Sequence, residues 1–196
     1  LSGSAVVTDN HSTVSGGGLS IHNNSSLAVN EATVSNNTSG SGSAIYLHSN
    51  TTSTFDNATI SGNTSASGSG AIVLSETSSV TMDSSLVTGN TGRTGGGLSL
   101  LTGSIGTVTQ TQFTANSAVS KAGALMASGA STLNISNTTV YGNTVSDTSS
   151  GGAMYVGSGS VVSLTHSKID SNSAGYGSAF IVNDASISFE SSKVMR

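Results

Sequence analysis

Two pairs of side chains in this sequence have the types and spacing for site chemistry. Asp56 and Asp83 are 27 residues apart, each directly following a large apolar residue, Phe55 and Met82. On adjacent turns of a repeat they would stand about 5 Å apart, near the carboxyl separation of a retaining glycosidase. Such a pair can also offer hard oxygen ligands to Ca²⁺. The second pair is His22 and His48, 26 residues apart, and two imidazoles in step can begin a metal site. Neither series runs on: Asn30 and Thr109 flank the Asp pair, and Ser75 and Leu101 follow the His pair. Arg93 falls in a different turn, three residues after Asn90. His11 and His166 have no matching partners, and no Ser-His-Asp set can be assembled in step. The Gly-rich turns are not followed by helical spacing, so they read as corners rather than phosphate loops.

The element that must position these residues is a repeat. A small pair followed by a large apolar residue recurs seven times, at Gly17-Gly18-Leu19, Ser43-Ala44-Ile45, Gly70-Ala71-Ile72, Gly96-Gly97-Leu98, Gly123-Ala124-Leu125, Gly152-Ala153-Met154 and Ser178-Ala179-Phe180, every 26 to 29 residues. In step with it runs an apolar residue, two spacers and an asparagine: Asn10, Asn37, Asn63, Asn90, Asn116, Asn143 and Asn172. A fixed period of this length marks stacked units. Within a unit, runs such as Ile72/Leu74, Val80/Met82 and Val87 alternate with period two and never with helical spacing. The expected fold is all-β: a single-stranded parallel β-helix, a solenoid of about seven three-strand coils, as one domain over residues 1–196. The asparagines are expected to stack inward as a structural ladder, amide to amide. The small residue entering the first strand is expected at a tight corner, where Gly also permits positive φ.

Composition narrows the partners. Only 7% of residues are charged, and the formal net charge is −4. That balance points away from nucleic acid and anionic membranes. No apolar run is long enough to span a bilayer, so no membrane insertion by this segment is expected. Cysteine is absent, which removes disulfides and thiolate metal sites. The chain starts and stops inside a repeat, and the expectation is a segment of a longer protein or a matured piece.

The repeat resembles that of the chlamydial-type polymorphic outer-membrane proteins, whose mark is Gly-Gly-Ala-Ile followed by Phe-x-x-Asn. Gly151-Gly152-Ala153-Met154 and Ser69-Gly70-Ala71-Ile72 each differ from the first motif at one position, and Phe113-Thr114-Ala115-Asn116 matches the second. Elsewhere Val or Ile replaces the Phe. The resemblance implies a right-handed β-helix of the pectate-lyase-like kind and a surface adhesin's passenger region.

The outward positions are then readable. On the first strand they are Ser20, Tyr46, Val73, Ser99, Met126, Tyr155 and Ile181, five of seven apolar or aromatic. Tyr46, Val73, Met126, Tyr155 and Ile181 form the candidate contact stripe, for a protein or glycan at a cell surface or for sister subunits. The second strand shows small polar residues outward. Corners are short, the longest running from Thr144 to Gly152, which leaves no wall for a substrate groove. The expected function is an extracellular or cell-surface rod, structural or adhesive, without a resident cofactor. The alternatives are a carbohydrate-active enzyme using Asp56 and Asp83, a filament-forming subunit, or an ice-binding solenoid with Thr rows such as Thr33/Ser35 and Thr59/Ser61. Sequons mark Asn24, Asn50, Asn57, Asn134 and Asn137 as acceptors for N-glycans, and Asn37 and Asn63 also fit the motif.

Overall fold

The computed structural model describes residues 1–146 and 150–195. The long corner from Thr144 to Gly152 includes residues 147–149, which lie outside the described set. The described residues form about seven parallel β coils and no helix, so no helix is long and apolar enough to cross a membrane. In coil order the first sheet has seven strands (Leu19–His22 in the first coil) and the second seven (Ser26–Asn30). The third has eight, beginning with Val6–Thr8. A fourth sheet of five short strands, such as Thr38–Ser39, follows the asparagine corner and adds to the three strands that the apolar pattern defines.

Alternation sets each strand's faces. Ile45 and Leu47 are buried while Tyr46 and His48 between and beyond them are half-buried, and Ser53 and Phe55 are buried between exposed Thr52, Thr54 and Asp56. Inward residues of all coils join one core that includes Ile45, Phe55, Ile60, Met82, Phe113 and Leu133. Stacking in register is what buries them, because a single coil has no second layer to pack against.

Polar side chains inside the corners are satisfied by the next coil. Asn63 accepts at Oδ1 from the Asn37 backbone N–H and from Asn37 Nδ2, both at 3.0 Å. Its own Nδ2 donates to Val34 O, Ser61 O and Asn90 Oδ1. The same bonds link Asn10 through Asn172 without a break. The residue before each of these asparagines (Asp9, Asn36, Gly62, Gly89, Ala115, Gly142, Ser171) is left-handed, with φ from 52° to 64°. Three of the seven are glycine, and Ala115 adopts the conformation despite its Cβ.

Two further ladders use hydroxyls. After the first strand, the Thr51 N–H donates to Ser78 Oγ and the Ser131 N–H to Ser160 Oγ. After the second strand, the N–H groups of Ser85, Thr111 and Thr138 donate to Thr111 Oγ1, Thr138 Oγ1 and Ser167 Oγ. This explains a composition rich in Ser, Thr and Asn: a coil with three turns has corner N–H groups that its strands leave unpaired. Thr111→Val keeps the shape but orphans the Ser85 N–H, and it removes the bond from Thr111 Oγ1 to Thr109 O. A loss of about 1–3 kcal/mol is expected, read as a lowered urea midpoint.

The small pairs have a different cause from left-handed geometry. No glycine of a pair has positive φ; that conformation falls just before the pair, at Gly16, Gly42, Gly95, Ala122, Gly151 and Gly177. What the pairs meet is the backbone of the neighbouring coil. A Cβ on Gly96 would lie 2.4 Å from both Gly123 O and Ser117 O.

Candidate functional site

Asp56 and Asp83 are strand partners in register in the second sheet, between Asn30 and Thr109. Asp56 is exposed, and its Oδ1 accepts from Asn57 Nδ2 at 3.3 Å. Asp83 Oδ2 accepts from Ser84 Oγ at 3.2 Å. Asp83 Oδ1 is buried with no hydrogen-bond partner, the one such side-chain atom among the described residues. An open depression of about 460 Å³ along the fourth sheet is lined by His11, Thr38, Gly40 and Thr64 among others. Another, of about 510 Å³, lies by Asn172, Ser178 and Met195. Among the described residues no three His, Cys, Asp or Glu side chains converge on one point.

The first-sheet outer row is less open than its composition implies. Tyr46, Met126 and Ile181 are half-buried, while Val73 is 1% exposed, Ser99 0% and Tyr155 6%. The Tyr155 ring passes so close to Gly157 that a Cβ there would sit 2.6 Å from Cε1. Lys121 Nζ covers the ring at 4.5 Å from its centroid, a cation–π contact. Small Ser99 lies between Val73 and Met126 in the row and is overlaid by the turn at Gly95. Neighbouring rungs stand only about 4.8 Å apart, and the row is covered further by what reaches over it, Lys121 on Tyr155 and the Gly95 turn on Ser99.

The chemically dense part of this face lies at its first two coils. His22 and His48 are strand partners, as are Ser20 and Tyr46. Ring centroids are 6.2 Å apart for His22–Tyr46, 5.6 Å for His22–His48 and 5.8 Å for Tyr46–His48. Glu76 joins them from the next coil, with Oε1 3.1 Å from His48 Nε2 and Oε2 accepting from Ser49 Oγ at 3.0 Å. Burial, and secondarily the Glu76 charge, raise the Tyr46 hydroxyl above its ordinary pKa. Glu76 escapes a reading by strand rungs because it sits in the corner, one residue past Ser75, with φ +51°. The signal was nonetheless in the period: Glu76 is 27 residues after Ser49, the neighbour of His48.

Parallel strands repeated coil upon coil around one apolar core define a β-solenoid, with its side-chain chemistry on the outer faces. The chain belongs to the right handed beta helix region family, whose model matches residues 1–174. Comparison with the curated proteins and with the solved structures gives no match.

Proposed function

We propose that this chain is a non-enzymatic extracellular rod, a stalk or adhesin-type passenger, that meets a protein or glycan through the outer face of its first sheet. The observation that supports this most is the gathering of His22, Tyr46 and His48 on that face, in a chain only 4% aromatic whose second sheet shows mostly Ser and Thr. Rings flanked by a carboxylate and hydroxyls suit contacts that are part apolar and part hydrogen-bonded. Burial narrows the contact to Tyr46, Met126 and Ile181 within the original stripe, since Val73 and Tyr155 present almost no surface. The motif resemblance to surface adhesins points the same way.

The rival reading is a carbohydrate-active enzyme of pectate-lyase-like fold, and the unpartnered Asp83 Oδ1 beside Asp56 is the feature that favours it. The two separate in one experiment on immobilised glycans and whole cells. Tyr46→Ala is expected to weaken retention by about tenfold or more. The double variant Asp56→Asn/Asp83→Asn is expected to leave retention unchanged, with no polysaccharide turnover in either form. Turnover by the native chain that disappears in the double variant would establish the enzyme instead.

A further inference from the structure

The first sheet places two of the chain's four histidines side by side. The His22 and His48 ring centroids are 5.6 Å apart. Two imidazoles sharing one tetrahedral ion at ordinary Zn–N distances would have centroids roughly 5 Å apart, so the pair needs little adjustment to close on an ion. A carboxylate and a hydroxyl hold the His48 ring in place. Its Nε2 faces Glu76 Oε1 at 3.1 Å, and its Nδ1 meets Ser49 Oγ at 2.7 Å. With Nε2–H donated to the carboxylate, a neutral His48 keeps its lone pair on Nδ1, and that nitrogen opens to an ion once the single Ser49 hydroxyl proton is committed to Glu76 Oε2 and Oγ turns off Nδ1. On His22, Nε2 is held by Ser20 Oγ at 2.6 Å, and Nδ1 has no partner among the described residues.

We propose that His22 and His48 together bind a divalent transition-metal ion of the zinc or copper class, with Glu76 as the outer carboxylate that holds His48. The ion staples adjacent coils. Since no third His, Cys, Asp or Glu converges with them among the described residues, water completes the coordination. Imidazole donors then set the selectivity: Cu²⁺ is favoured over Ni²⁺ and Zn²⁺, and the oxygen-seeking ions Ca²⁺ and Mg²⁺ are passed over. This inference is independent of the contact reading, because it concerns what the imidazoles bind and not what the rod adheres to.

Titration of the chain with CuSO₄ and ZnCl₂, followed by calorimetry and Cu²⁺ electron paramagnetic resonance, tests it. One equivalent of Cu²⁺ with two nitrogen donors is expected, and saturation should raise the thermal midpoint by about 2–4 °C. His22→Ala and His48→Ala should each weaken binding by at least about tenfold, whereas His11→Ala and His166→Ala should not. Glu76→Gln should weaken it by about tenfold while the two-nitrogen signature remains. Circular dichroism checks that each variant is folded. Absence of uptake by the native chain at millimolar metal, or uptake that survives both His22→Ala and His48→Ala, overturns the site. Native affinity in Glu76→Gln removes Glu76 from it.

Discussion

Asn90→Ala is expected to be among the most destabilising single substitutions in this rod, costing about 3–6 kcal/mol. Asn90 is fully buried, and its Oδ1 accepts from the Asn63 backbone N–H and from Asn63 Nδ2, both at 2.9 Å. Its Nδ2 donates to Ile60 O at 2.9 Å and to Asn116 Oδ1 at 3.0 Å. Alanine leaves the buried Asn63 N–H without its acceptor and Ile60 O without the Nδ2 donor, each worth about 1–3 kcal/mol, in addition to the vacated space, while Asn63 Nδ2 keeps Val34 O and Ser61 O. Asn90→Asp separates shape from hydrogen bonding. The carboxylate still accepts from Asn63, but it cannot donate to Ile60 O and would set oxygen against Asn116 Oδ1. A loss at least as large is therefore expected, whereas a role in filling space alone would leave Asn90→Asp near the native value. Stability in a solenoid is a sum over neighbouring interfaces, so a break at the central coil should also divide the array. Urea unfolding would then show a lower midpoint and a shallower, multi-phase transition. Asn10→Ala, at an exposed rung, should cost less than about 1 kcal/mol.

Gly96→Ala and Gly97→Ala, one residue apart, should differ sharply. A Cβ on Gly96 meets carbonyl oxygens of Gly123 and Ser117 at 2.4 Å, and a backbone locked between coils cannot rotate away as a side chain can. A cost of about 3 kcal/mol is expected, at the upper end of overpacking effects. A Cβ on Gly97 approaches Ala124 O at 2.8 Å, with Phe113 Cδ1 and Val87 Cγ1 beyond 3.1 Å. Five other coils already carry Ala there, at Ala44, Ala71, Ala124, Ala153 and Ala179, so a change below about 1 kcal/mol is expected. Ser43 and Ser178 fill the Gly96 position in their own coils, where the backbone has been built around a Cβ. Thermal midpoints of the two variants measured side by side give the comparison. Equal losses would mean that the pair acts through flexibility rather than through contact with the next coil.

Much of the architecture was legible because a solenoid converts period into contact. Asn37 and Asn63, or Asp56 and Asp83, are neighbours because 26 or 27 residues complete one coil. The hydroxyl ladder through Ser85, Thr111, Thr138 and Ser167 obeys the same period but was masked by the abundance of Ser and Thr. The fourth sheet was hidden for another reason. Its strands are mostly two residues long, as at Thr64–Ser65, too short to show alternation. Contacts off the period could not be read at all: Lys121 reaches Tyr155 across 34 positions of sequence, from the fourth sheet to the first.

The sequence by itself determined the coil, its inward faces and which residues share a rung, since those follow from periods of two and of about 27. Only the tertiary structure decided which outward side chains remain available. Exposure depends on how neighbouring rungs lean and what the corners bring over them. Those are properties of side-chain length and turn geometry, and they buried Val73 and Tyr155 while swinging Glu76 against His48.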